Sequence, residues 1–187
     1  MKVLLVDFYD SFTFNIHHYL WSEGAEVVVV QHDNLELSIL KGFTHVVLSP
    51  GPGLPQEKEN MFEIIENISK NTALLGICLG MQAIAQYDGA QLYNLDQVRH
   101  GVSAAVTKTG GSRLLKSLPE HFEVGLYHSW AVDGTTLKSY EITAISDENI
   151  VMAIEHNEKR IYGVQFHPES ILTSEGKKIF NNFLSQG

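Results

Sequence analysis

Residues 73–86 read Ala73-Leu74-Leu75-Gly76-Ile77-Cys78-Leu79-Gly80-Met81-Gln82-Ala83-Ile84-Ala85-Gln86. The first five form a short apolar run with no polar side to show to water. That pattern suits a parallel strand buried on both faces. From Leu79 the pattern changes to that of a helix. A buried strand passing through a tight glycine turn into a helix is half of a βαβ unit. Its neighbours repeat the theme. Lys2 to Val6, Val27 to Val30 and His45 to Leu48 are further short apolar runs, predicted as buried strands. Helical patterns separate the strands. Ser11 opens one with Phe12, Ile16, Tyr19 and Leu20 on a shared face and Gly24 at its end. Glu57 to Lys70 is a second, with Met61, Ile64, Ile65 and Ile68 apolar. Ser49 to Pro55 is too rich in proline and glycine for a helix or a central strand. Alternating strands and helices predict an α/β fold, an open, mostly parallel sheet flanked by helices.

The second half reads differently. Val102 to Thr107, Phe122 to Tyr127, Glu141 to Ile145, Val151 to Glu155 and Ile161 to Phe166 are all strand-like. Some should add antiparallel pairs to the sheet. Thr173 to Leu184 closes with a helix. With 187 residues and no linker or repeat, a single domain over 1–187 is expected. The 13 basic and 22 acidic residues give a net charge of −9, without a basic block. This speaks against nucleic-acid or anionic-membrane binding. No apolar run approaches the ~18 residues of a membrane span, and no signal-peptide pattern is visible. One cysteine allows no internal disulfide, and a reducing, cytoplasmic setting is expected.

Gly76-Ile77-Cys78-Leu79-Gly80 is the thiol form of a nucleophile elbow. The turn needs small residues two before and two after the nucleophile. The helix N-terminus beneath the sulfur favours thiolate, and the Leu79 N–H is aimed at an attacked carbonyl oxygen. A buried structural cysteine in a glycine turn would show the same letters. A thiol nucleophile needs a base, and nine histidines compete. His167 stands out in Phe166-His167-Pro168-Glu169, at a strand's end. In extended backbone, residues two apart point the same way, so Glu169 can hold the His167 ring. His17, His18, His32, His45, His100, His121 and His156 lack such a neighbour, and surface or helix positions are expected for them. No histidine pair has metal-site spacing with a third ligand at hand, so no metal is predicted. Pro50-Gly51-Pro52-Gly53 ends the third strand, beside the strand that bears Cys78. Its glycines allow close backbone approach and could free an N–H for an oxyanion hole, although a plain turn has the same composition. All three elements fall at strand C-terminal ends, where open α/β sheets bind ligands.

These residues resemble those of the class I, or triad, glutamine amidotransferases. The matching segments are VDFYDSFTFN at 6–15, SPGPGLP at 49–55, GICLGMQAI at 76–84, Tyr127-His128-Ser129, and GVQFHPESILT at 163–173. They span nearly the whole chain, and several are particular to the branch that serves chorismate-using synthases. The resemblance implies a flavodoxin-like sheet and a glutaminase. Cys78 would attack the glutamine amide, His167 would move the proton, and Glu169 would orient the imidazole. The N–H groups of Gly53 and Leu79, with Gly51 and Pro52 beside them, would surround the oxyanion. Gln82, Ser129 and the backbone of Trp130 would grip the substrate's amino-acid end. Without the resemblance, Gln82 reads equally as an exposed helix residue and Ser129 as a turn hydroxyl. Four positions depart from the family pattern. Phe8 replaces the usual Asn, Met81 a common His, Leu126 a common Arg and Trp130 the usual Leu.

The resemblance further implies that the ammonia acceptor lies on a large chorismate-binding synthase subunit, a magnesium-dependent partner, with no cofactor in this chain. Anthranilate synthase comes first and aminodeoxychorismate synthase second. The remaining alternatives are a thiol hydrolase and a catalytically inactive binding subunit. Low glutaminase activity is expected without the partner.

Overall fold

The computed structural model describes residues 1–186. One sheet of nine strands runs through the molecule in the order β2-β1-β3-β4-β9-β8-β7-β5-β6. The strands are β1 (Lys2–Asp7), β2 (Glu26–Gln31), β3 (His45–Leu48), β4 (Ala73–Ile77), β5 (Leu92–Lys108), β6 (His121–Val132), β7 (Tyr140–Ser146), β8 (Val151–His156) and β9 (Ile161–Val164). From β2 to β9 the neighbours are parallel, and their order is that of a flavodoxin-like sheet. From β9 to β6 every pairing is antiparallel.

Apolar side chains cover both faces because successive residues of a strand point opposite ways. Val3, Leu5, Val47, Leu75 and Ile77 pack on one face, against Ile16 and Leu20 of α1 (Thr13–Ser22) and Ile179, Phe180 and Phe183 of α4 (Gly176–Leu184). Leu4, Val6, Val46, Leu48 and Leu74 pack on the other, against Met61 and Ile64 of α2 (Met61–Glu66) and Met81 and Ile84 of α3 (Leu79–Tyr87). Burying each such side chain contributes about 1.5–3 kcal/mol. The strand ends of β1, β3, β4 and β9 therefore lie side by side, with Val6 paired to Leu48, Leu48 to Gly76 and Ile77 to Val164. The loops that follow all emerge at this edge.

Several expected boundaries move. β2 is the edge strand and only half-buried, not a second buried strand. The helix expected over 57–70 shrinks to α2. Pro55–Glu57 is a separate 3-10 turn, and Asn60 enters α2 with φ +64, which breaks any continuous helix. β5 begins ten residues before Val102, and β9 stops at Val164 instead of reaching Phe166. The last helix starts at Gly176, not Thr173: Gly176 N donates to the Thr173 carbonyl at 3.1 Å, closing a turn, and Gly176 packs against the Pro168 carbonyl. No helix among the described residues is long and apolar enough to cross a membrane.

Candidate active site

Cys78 sits at the junction of β4 and α3 with φ 52 and ψ −103. A non-glycine residue is held in that strained conformation only when its surroundings demand it. Here its N–H donates to the Val164 carbonyl at 2.7 Å, and its carbonyl accepts from Gln82 N at 3.1 Å. The flanking glycines are sterically required. A methyl group on Gly76 would lie 2.4 Å from the Gly80 carbonyl, and one on Gly80 would lie 2.6 Å from the Leu48 carbonyl oxygen.

His167 follows β9 and is pinned through its backbone. Its N–H donates to the Gly125 carbonyl at 3.0 Å, while its own carbonyl accepts from Ser170 N at 3.1 Å and Thr173 Oγ1 at 2.7 Å. The ring is buried, with Tyr127 and Phe12 at centroid distances of 4.8 and 5.6 Å. Nδ1–H donates to Glu169 Oε1 at 2.6 Å, so the expected His-x-Glu pairing forms, with both side chains out of solvent. Nε2 has no hydrogen-bond partner among the described residues and is left to serve Cys78. Burial works against charging this ring. Cys78 and Glu169 outweigh it and hold its proton affinity well above the usual histidine value.

Cys78 is reached from two clefts. One, of about 240 Å³, is lined by Gly51, Pro52, Gly53, Cys78, Leu79, Gln82, Ser129 and Trp130, which brings together every residue expected to contact substrate. The second, of about 350 Å³, places Cys78 beside His167, Phe12 and Tyr127. The loop between β3 and α2 is shaped by Gly53, at φ +78, and by Glu57, whose Oε2 accepts from Leu54 N at 2.9 Å. Neither the Gly53 N–H nor the Leu79 N–H has a hydrogen-bond partner among the described residues.

Gln82 is buried, not an exposed helix residue. Its Nε2 donates to the Trp130 carbonyl at 2.9 Å and to Gln165 Oε1 at 3.1 Å. Ser129 lies within β6 and is half-buried. Leu126, one of the departures, is packed in the core. His45, expected at a surface or helix position, is instead fully buried in β3. His32 opens a 3-10 helix, where it is buried and stacked on Phe8 at 5.0 Å.

Sequence reasoning missed four neighbours. Gln165 donates from Nε2 to Cys78 Sγ at 3.5 Å, Phe12 and Tyr127 wall in His167, and Arg99 lines the smaller cleft while paired with Glu148. Phe12, Tyr127 and Gln165 lie within the segments that carry the family resemblance, but their residue types announce no chemistry of their own, and Arg99 lies outside those segments.

A thiol facing an unpartnered imidazole nitrogen, with a buried carboxylate on the other nitrogen, can carry thiol-dependent acyl transfer. Comparison with known sequences narrows the class. The class-I glutamine amidotransferase family matches residues 4–186, and the chain belongs to that family. Aminodeoxychorismate synthase component 2 of Klebsiella aerogenes is 41% identical over 187 residues, covering 98% of this chain and 100% of that protein. Anthranilate synthase component 2 of Lactococcus lactis is 38% identical, covering 98% and 94%. A crystal structure of a candidate GMP synthase subunit from Thermoplasma acidophilum superposes with a TM-score of 0.90. It is 27% identical and covers 100% of this chain and 93% of that one.

Proposed function

We propose that this chain is the glutaminase subunit of a chorismate-using synthase, in the first place anthranilate synthase of tryptophan biosynthesis. The carrying observation is Cys78 on a strained elbow within reach of the His167–Glu169 pair. Cys78 Sγ attacks the side-chain amide carbon of glutamine as its proton passes to His167 Nε2. The C–N bond breaks as His167 returns that proton to the departing ammonia, leaving a thioester. Water, deprotonated by His167, attacks the thioester carbonyl, and glutamate leaves as the thiol is restored. Glu169 keeps Nδ1 protonated and steadies the imidazolium. The N–H groups of Gly53 and Leu79 hold the oxyanion in both tetrahedral species. Gln82, Ser129 and the backbone of Trp130 fix the amino-acid end, with Gly51 and Pro52 closing the cleft.

The ammonia goes to a chorismate-binding, magnesium-dependent partner. The Klebsiella aerogenes relative favours aminodeoxychorismate synthase as the second reading. A nucleophilic thiol is kept reduced in the cytoplasm, which supports that setting. The test measures glutamate release from glutamine by the chain, in the presence of chorismate and an anthranilate synthase large subunit. Release should rise with the partner and vanish in Cys78→Ser, while ammonia-driven synthesis continues. Loss of the ammonia-driven reaction as well would make Cys78 structural. No release with a partner that still uses ammonia would overturn the anthranilate reading.

A further inference from the structure

The Cys78 sulfur has a polar neighbour that the reaction above leaves idle. Gln165 is completely buried just past β9, and its Nε2 donates to Sγ at 3.5 Å. The direction of this amide follows from the contacts behind it. The Trp130 carbonyl can only accept. It takes one bond from His128 Nδ1–H at 2.8 Å and one from Gln82 Nε2 at 2.9 Å. Gln82 must therefore present its nitrogen to Trp130, and its second N–H goes to Gln165 Oε1 at 3.1 Å. With its oxygen committed there, Gln165 has its nitrogen left for the sulfur. A flipped Gln165 would set donor against donor at Gln82 and oxygen against the sulfur lone pairs.

We infer that Gln165 is a second hydrogen-bond donor to the Cys78 sulfur, oriented by Gln82, and that it stabilises and aims the thiolate. This rests on the glutaminase reading. Proton transfer remains between Sγ and His167 Nε2, and Gln165 keeps both of its hydrogens. Its bond is strongest whenever the sulfur carries negative charge. That is the case as the Sγ proton passes to His167 on attack, and again when the second tetrahedral species expels the sulfur before it regains its proton. In the neutral thioester between them, the bond weakens. The donor thus favours the states that flank the covalent intermediate over the intermediate itself. It also gives Gln82 a task besides the substrate. Both of its N–H groups are spent inside the protein, leaving Oε1 for the cleft.

The experiment follows iodoacetamide alkylation of Cys78, the chain's single cysteine, as a function of pH. It uses the full chain and two variants, with urea unfolding as the fold check. Gln165→Met keeps length and volume without the donor, and Gln82→Met removes the residue that orients it. A hydrogen bond to a charged group of ordinary strength predicts alkylation about tenfold slower at pH 7 in Gln165→Met. The whole rate profile should move to higher pH. Gln82→Met should move it the same way by less. In the complex with the partner, Gln165→Met should lower kcat for glutamine about tenfold with KM within about twofold. Profiles that coincide with the parent in both folded variants would overturn the role. A lowered rate whose pH profile does not move would do the same, because that is the mark of packing alone. Failure of the parent complex to release glutamate would instead fall on the glutaminase reading, and the alkylation profiles would still report on Gln165.

Discussion

Gly76→Ala tests whether the elbow is fixed by sterics. A methyl group there would meet the Gly80 carbonyl carbon and oxygen at 2.4 Å each and Met81 N at 2.6 Å. All three are backbone atoms in the first turn of α3, so no side chain can swing aside. Overpacking a core commonly costs about 1–3 kcal/mol, and three overlaps on fixed backbone place this change at about 3 kcal/mol or above. Gly110→Ala is the control, since nothing lies within 4 Å of a Cβ there, and it should stay within about 0.5 kcal/mol. Urea unfolding followed by the fluorescence of Trp21 and Trp130 measures both. With a slope of about 1–3 kcal/mol per molar, the Gly76→Ala midpoint should fall by about 1–3 M. Relief of the clash must move β4 away from α3, so Cys78 alkylation should change in the same variant. A Gly76→Ala chain with the parent's midpoint and alkylation rate would refute the steric account, and with it the reason for reading Gly-x-Cys-x-Gly as an elbow.

Glu169→Gln replaces a charge-assisted bond to His167 by a neutral one, a loss of about 1–2 kcal/mol, so kcat for glutamine should fall about 5- to 30-fold. Parent-level activity would remove Glu169 from the triad. His45 is fully buried, and burial holds its proton affinity below the ordinary 6.5, with Arg160 and the N-terminal amine adding to the effect. The unfolded chain therefore binds more protons there below pH ~6.5, and His45 withdraws stability as pH falls through that value. His128 acts in the same direction. His167, with its affinity raised, acts in the opposite one, its contribution being complete below ~6.5 and lost as pH rises through its own higher value. In His45→Asn, the decline in urea midpoint between pH 7 and pH 5 should be shallower than in the parent. An unchanged decline would mean that His45 charges as readily folded as unfolded.

What could be read from the chain, and what could not, follows from how each segment meets solvent. β1, β3 and β4 are buried on both faces, so their letters are continuously apolar and their limits plain. The elbow was legible for a harder reason, because close backbone contact admits only glycine at 76 and 80. The first ten residues of β5, from Leu92 to Gly101, gave no such signal. They form one arm of a mostly exposed hairpin with β6, and shifts in register between Asn94 and Arg99 and between His100 and Val102 erase the period-two pattern. Cys78, His167 and Glu169 were legible because a single cysteine between paired glycines and a His-x-Glu at a strand's end are recognisable local frames. Gln165 lies 87 residues from Cys78, and although it stands two residues before His167, nothing in that frame marks its amide as a partner of the sulfur. Its amide becomes a donor to sulfur only because Ile77 pairs with Val164, which sets the ends of β4 and β9 together, and because Gln82 and Trp130 settle which way it faces. A side chain whose chemistry depends on the orientation of its neighbours is invisible to spacing, and that is the condition under which a further participant in a well-marked site goes unread.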